Sequence, residues 1–296
     1  MRSTQFVLST ALRDMATVLY PEDAIQPILP RAVRGAVHQW MTEIRCEEEL
    51  AAVGVSPRRT ALLSGPPGCG KTTLAHHLAA RLGIALVCVH LDRLQSKYVG
   101  ETENNIADLF ESVRDQAGSY ILFLDEFDAI GVARTDVSQA SDRSHNSVVD
   151  SLLARIEAFN GSMIAATNRP GSLDPALWRR FGMQLDIPLP GPEERYAIIK
   201  LYIAPFEMPE EWIEAMTDAT EAAAPSLLRQ LMEGLKRDII LSERLNYPRD
   251  ARSALERVVA SVGPHVDYST PPLWARESVR DRICKIEWPP PRAEAA

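Results

Sequence analysis

Residues 65–72 read Gly-Pro-Pro-Gly-Cys-Gly-Lys-Thr, and no other stretch constrains the fold as tightly. The run matches the phosphate-loop pattern G-x-x-x-x-G-K-[ST], with Gly65, Gly70, Lys71 and Thr72 in register. Ala61-Leu62-Leu63 leads in as an apolar strand, and residues 73–82 lead out with helical spacing. Strand, loop and helix are what triphosphate binding requires. Glycines let backbone N–H groups curl around phosphate oxygens, and the helix N-terminus adds partial positive charge beneath them. In such a loop Lys71 neutralises the β- and γ-phosphates and the Thr72 hydroxyl takes Mg²⁺. Gly65, Pro66, Pro67, Gly68, Cys69, Gly70, Lys71, Thr72 and Thr73 are therefore the expected nucleotide contacts. The helix start and the basic neighbour also favour a reactive thiolate at Cys69.

Around this loop, short apolar runs alternate with amphipathic helical patterns. Strands are predicted at 61–64, 85–90, 120–124, 163–166 and 185–188, and helices at about 71–82, 101–116 and 143–159. That alternation predicts an α/β parallel sheet with helices on both faces and chemistry at the carboxyl ends of the strands. Upstream, residues 1–20 read as helix-like, Pro21, Pro27 and Pro30 impose an extended segment, and 33–50 read as one helix. After Pro188-Leu189-Pro190-Gly191-Pro192 the pattern turns helical, at 193–203, 210–217, 226–242 and 249–262. The organisation expected is a helical extension over 1–50, a nucleotide-binding domain over 51–190, a helical lid over 191–265, and a Pro/Trp-containing tail over 266–296 whose last residues are loose.

Composition excludes several classes. A net charge of −8 without a Lys/Arg block argues against broad binding to nucleic acid or anionic lipid. Cys46, Cys69, Cys88 and Cys284 are scattered with no Cys-x-x-Cys pair, so neither a zinc site nor a disulfide framework is suggested, and a reducing cytoplasm fits. No run approaches membrane-spanning length, and the N-terminus lacks the apolar core of a signal peptide.

The second chemical motif is Ile121-Leu122-Phe123-Leu124-Asp125-Glu126-Phe127-Asp128. An apolar strand delivers carboxylates to its tip. Asp125 is placed to hold Mg²⁺, and Glu126 to polarise the water that attacks the γ-phosphate. Ala165-Ala166-Thr167-Asn168-Arg169-Pro170 ends a further strand, where Asn168 orients the same water or simply forms a turn.

With these come Leu173-Asp174-Pro175-Ala176-Leu177-Trp178-Arg179-Arg180-Phe181 and Ile187-Pro188-Leu189-Pro190. In that order the motifs resemble the AAA family of the AAA+ ATPases over residues 50–240. The resemblance implies a three-layer sheet in order 5-1-4-3-2, an all-helical lid domain, hydrolysis of ATP with Mg²⁺, and assembly into a ring, usually of six copies. It implies that Arg179 and Arg180 are arginine fingers that reach the γ-phosphate of a neighbouring subunit; their spacing is similar to the katanin and spastin branch. Lys97-Tyr98-Val99-Gly100 resembles the aromatic pore loop that grips a threaded polypeptide, with Tyr98 as the gripping ring. Glu157-Ala158-Phe159 stands where relatives carry Asp-Gly-Phe, with Phe159 equally readable as core. Arg229, on a helix of the lid, reads as a solvated arginine more than as a nucleotide sensor. The functional expectation is an ATP-driven remodeller of polypeptide clients. The alternatives are a nucleic-acid-associated loader and a nucleotide switch that holds a separately encoded enzyme such as a protease.

Overall fold

The computed structural model describes residues 15–94, 101–114, 118–134, 140–265 and 268–293, with 140–145 described by their backbone. The chain divides into two compact units. The first comprises Met1–Pro27, Arg31–Gly65 and Lys71–Ile187; the second comprises Ile28–Pro30, Pro66–Gly70 and Pro188–Ala296.

The first unit is built on six strands: β1 (Ala16–Leu19), β2 (Thr60–Ser64), β3 (Ala85–Val89), β4 (Tyr120–Leu124), β5 (Ser162–Thr167) and β6 (Met183–Asp186). Their order across the sheet is β1-β3-β4-β5-β2-β6. Strands β2 to β6 pair in parallel. Numbered among themselves, they give the expected 5-1-4-3-2 order. Every residue of β4 and β5 is buried, the signature of a parallel sheet covered on both faces. The helices are α1 (Arg31–Arg45), α2 (Glu47–Ala52), α3 (Lys71–Leu82), α4 (Leu91–Leu94), α5 (Glu101–Arg114), α6 (Ala140–Ala158) and α7 (Pro175–Trp178).

Upstream of β2 the expectations need correction. Residues 16–19 are not helical. They form β1, an antiparallel edge strand paired from Ala16 against Val89 to Leu19 against Leu86. The helix expected over 33–50 is two helices, α1 and α2, separated at Cys46. Helix α1 buries Val33, Val37, Trp40 and Met41, one stripe at helical spacing. Fully buried Trp40 donates its indole N–H to the Arg58 carbonyl at 2.7 Å, which ties α1 to the approach of β2.

The second unit holds α8 (Pro192–Ile203), α9 (Glu210–Ala219), α10 (Pro225–Arg244), α11 (Ala251–Ser261), α12 (Pro272–Ala275) and α13 (Glu277–Ile283). Its core gathers Ile199 from α8, Met216 from α9, Leu228 and Leu231 from α10, and Leu255 from α11. Arg195 is buried beside them. Its guanidinium is satisfied by backbone carbonyls, donating to Thr217 at 3.0 Å and Pro190 at 2.9 Å. Such pairing offsets the cost of burying the charge.

Residues 268–293 pack onto the helical unit. Leu273 and Ile283 are 0% and 2% exposed within the same helical core. The Trp274 indole donates to the Val262 carbonyl at 2.7 Å, and backbone bonds join Glu207 to Pro291 and Ala293 to Pro205 at 2.9 and 2.8 Å. The prolines and tryptophans of this segment are packing elements of the helical unit.

Candidate active site

The site grows out of the carboxyl end of β2. Gly65 follows Ser64 directly and has φ +146, and a Cβ there would lie 2.2 Å from the Ile187 carbonyl oxygen. Only glycine fits so close to another backbone. Gly68 has φ +76, and a Cβ on it would meet the Ser226 hydroxyl at 2.0 Å, while the Ser226 N–H donates to the Gly68 carbonyl at 3.2 Å. Within the loop, the Cys69 N–H bonds the Pro66 carbonyl at 3.4 Å. The Cys69 side chain is only 4% exposed, which works against the reactivity its position suggests. Pro67 and Gly68 are exposed, Pro66 and Gly70 half-buried.

Helix α3 then begins with Lys71, whose ammonium is the pivot of the site. It is 7% exposed and donates to the Gly65 carbonyl at 2.8 Å and to Asn168 Oδ1 at 2.6 Å. Asn168 stands one residue beyond β5, so the sheet brings a group 97 positions away onto the lysine. Next on the helix, the exposed Thr72 hydroxyl donates to Asp125 Oδ2 at 2.7 Å. Thr73 lies half-buried on the same first turn.

Asp125 and Glu126 continue β4. The Glu126 N–H donates to the other Asp125 carboxylate oxygen at 2.9 Å, and Glu126 adopts φ 52, ψ 43. A left-handed conformation at a residue other than glycine is uncommon and gathers at functional positions. It turns the chain sharply and leaves the Glu126 side chain exposed, while Phe127 is wholly buried and packs edge-on against Phe181 at 5.6 Å. Cys88, on the neighbouring strand β3, has its thiol pushed up to about 12, first by burial and then by the Asp125 carboxylate. It stays protonated and unreactive at neutral pH.

Two contacts here were not anticipated. Asp128 Oδ1 accepts from the Thr167 hydroxyl at 2.8 Å and from the Asn168 N–H at 3.3 Å, bridging the tips of β4 and β5. The Ser64 hydroxyl donates to Asp186 at 3.2 Å. Asp128 belongs to the acidic run that marks the strand end, but nothing in its spacing distinguishes a bridge from a solvated carboxylate.

Arg179 and Arg180 do not join this cluster. They follow α7, whose N-cap Asp174 accepts from the Ala176 N–H at 2.8 Å and from Arg134. Burial alone would raise the Asp174 carboxyl; hydrogen bonds from the backbones of Ala176 and Arg134 and from the Arg134 guanidinium hold it below its usual range. The Arg180 carbonyl accepts from the Thr60 hydroxyl at 3.0 Å. Thr60 begins β2, so it stands at the end of the strand opposite the phosphate loop, about 13 Å away at 3.3 Å per residue. Both arginines are exposed, and Arg180 pairs with Glu157 at 3.5 Å. Phe159, half-buried against the core, packs edge-on against Phe110 at 5.8 Å. Arg229 bonds Glu233 one turn along α10 at 2.7 Å and lies over the Tyr202 ring. Lys97, Tyr98, Val99 and Gly100 lie outside the described residues.

Lysine, threonine, paired carboxylates and an asparagine thus meet at adjoining strand tips. Residues 61–189 match the model of the ATPase family associated with various cellular activities, AAA. Over those residues the chain carries an AAA ATPase domain. It is similar to a proteasome-activating nucleotidase of Pyrococcus horikoshii, 38% identical over 60% of this chain and 46% of that protein. A second, from Thermococcus onnurineus, is 35% identical over 71% of this chain and 54% of its own length. An uncharacterized AAA family ATPase of Sinorhizobium fredii is 46% identical over 47% of this chain and 42% of its own. The chain spans about half the length of these relatives. That family implies nucleotide binding. Among the described residues, no helix is long and apolar enough to cross a membrane.

The site also passes a chemical test for a divalent cation. The Thr72 hydroxyl and the Asp125 carboxylate already touch, and both are hard oxygen donors of the kind Mg²⁺ accepts alongside phosphate oxygens and water.

Proposed function

We propose that this chain is an ATP-hydrolysing motor subunit that assembles with copies of itself into a ring, six-membered as in the resemblance, and remodels polypeptide clients. The observation that carries the ATPase reading is the convergence of Lys71, Thr72, Asp125 and Asn168, from α3, β4 and β5, on the end of β2. The loop from Gly65 to Thr73 holds the triphosphate, with Lys71 neutralising its terminal phosphates. Thr72 and Asp125 would hold Mg²⁺, which when bound draws charge from the phosphate oxygens. Glu126, exposed at the sharp turn after β4, takes the proton of the attacking water, and Asn168 orients that water. Arg179 and Arg180 stand at the far end of β2 from their own loop, which supports a role toward a neighbouring copy, where a guanidinium stabilises charge on the transferred group.

The polypeptide client rests on Tyr98 and on the relatives. Two of the similar proteins are named proteasome-activating nucleotidases. The corresponding partner here is a separately encoded protease or other effector that receives the remodelled chain. In this reading the work is done in the cytoplasm, away from membranes.

The test uses Glu126→Gln and Tyr98→Ala. Glu126→Gln is expected to bind ATP, lose turnover by about 100-fold or more, and hold a ring visible by electron microscopy. Tyr98→Ala is expected to keep most ATPase activity while an unfolded model protein no longer stimulates it. Turnover by Glu126→Gln at the parent rate would remove Glu126 from the chemistry. Normal client stimulation in Tyr98→Ala would end the threading reading.

A further inference from the structure

Asn168 lies past the last rung of the sheet. The pairing of β5 with β2 ends at Thr167 against Ser64, so the ladder does not set the direction in which Asn168 projects. What holds its backbone is Asp128. One carboxylate oxygen, Oδ1, takes the Asn168 N–H at 3.3 Å and the Thr167 hydroxyl at 2.8 Å. The Thr167 oxygen in turn accepts the Arg169 N–H at 2.9 Å, so three consecutive residues at the β5 tip are fixed through one acid. Thr167 is wholly buried, where an unmade bond is costly.

The acid itself sits on a stiff support. Asp128 belongs to the short helical turn Phe127–Ala129 that begins immediately after Glu126. That turn is closed by the Ala129 N–H on the Glu126 carbonyl at 2.7 Å and by the Gly131 N–H on the Phe127 carbonyl at 2.9 Å. Phe127 anchors it in the core. Glu126 and the bracket for Asn168 are therefore parts of one turn.

We infer that Asp128 is a positioning residue for hydrolysis: it fixes the separation between Glu126, on its own turn, and Asn168, on the next strand. This rests on the reading in which those two groups address the lytic water. The geometric demand is strict, because a shift of about 1 Å in a group that aligns reactants costs on the order of 100-fold in rate. Asp128 touches no reacting atom, so its removal acts through Asn168. The loss then belongs to kcat and leaves nucleotide affinity nearly unchanged.

The experiment is a double-mutant cycle on steady-state ATPase, with folding followed by thermal melting. Asp128→Ala and Asn168→Ala are expected to lower kcat by similar factors, about 10- to 100-fold, with KM within about threefold of the parent. The double variant is expected to be no slower than the worse single one, because both remove the same alignment. Asp128→Asn keeps an oxygen acceptor at the same place and is expected to restore kcat to within about threefold. Asp128→Glu keeps the charge but moves the acceptor by one methylene, and is expected to stay slow. If Asp128→Ala fails to fold, the Asn and Glu variants decide between alignment and bulk charge. Multiplying losses in the double variant, or a fast Asp128→Glu, would overturn the inference. A slow Asn168→Ala beside a parent-like Asp128→Ala would overturn it while leaving the catalytic reading intact. A parent-like Asn168→Ala would remove Asn168 from the chemistry and this inference with it.

Discussion

The contact between Lys71 and Asn168 makes a sharp prediction for Asn168→Asp. The substitution changes one terminal atom and keeps the shape of the side chain. Lys71, itself only 7% exposed, donates to Oδ1 of the exposed Asn168 at 2.6 Å. A carboxylate there converts a bond worth about 1.5–3 kcal/mol into an ion pair at least as strong, so the empty protein is not destabilised. In the proposed function, Lys71 neutralises the terminal phosphates, and with nucleotide bound the same carboxylate would face them. Two like charges about 4 Å apart repel by about 4 kcal/mol at an effective dielectric of about 20. The lysine, shared between carboxylate and phosphate, offsets part of this, leaving about 2–4 kcal/mol, or a loss of about 30- to 1,000-fold in affinity. The assay is calorimetric titration with Mg-ATP on the Glu126→Gln background, so that the ligand persists, beside Mg-ADP, for which a smaller loss is expected. The melting midpoint of the empty protein is the control and should hold or rise. An ATP affinity within threefold of the parent would refute the reasoning, since the Asn168 side chain would then not face the terminal phosphate. A fall in the empty protein's midpoint would refute the assignment of Lys71 as its charge partner.

Trp40→Phe removes the indole donor to the Arg58 carbonyl and shrinks a fully buried side chain, so urea denaturation should read a loss of about 1–3 kcal/mol. Asp174 gives the expected pH dependence. Its carboxyl is held below its ordinary value of 3.8, so the stability it contributes is present above that pH and disappears as pH falls through the lowered value. Denaturation should therefore find Asp174→Asn about 1–2 kcal/mol weaker than the parent at pH 7, with the gap closing well below pH 3.8.

The parts of the fold that were legible share one property: their signal is local. Strands β2 to β5 announce themselves because each carries buried apolar residues between turn formers, and β4 is buried along its whole length; the last strand, expected at 185–188, forms two residues earlier, at Met183–Asp186, where only alternate residues are buried. Their order followed from the motif resemblance, which the topology matches. Strand β1 has no such signal. Ala16-Thr17-Val18-Leu19 is four residues long, and what makes it a strand is a partner about seventy positions away in β3. The break at Cys46 carries neither glycine nor proline. The packing of Leu273 and Ile283 depends on a helical core assembled from α8 to α11, which no window of sequence contains.

The site divides along the same line. Gly65, Lys71, Thr72, Asp125 and Glu126 stand out in the sequence because triphosphate chemistry fixes residue types at short spacing. Asn168 was readable only as a polar group at a strand end, with a plain turn as the rival reading. Its contact with Lys71 favours the first reading, because a turn asparagine has no reason to meet a buried ammonium. Asp128 is the instructive miss. It stands in the same acidic run as Asp125 and Glu126, and sequence reasoning assigns such acids in order, metal first and base second, with nothing left for the next. The turn after Glu126 changes that logic. Once the chain reverses through a left-handed residue, the acid two places on no longer points where its predecessors do and meets the neighbouring strand. This acidic strand end followed by a tight turn therefore carries carboxylates in two placements, two at the strand tip and one that fastens the adjoining strand.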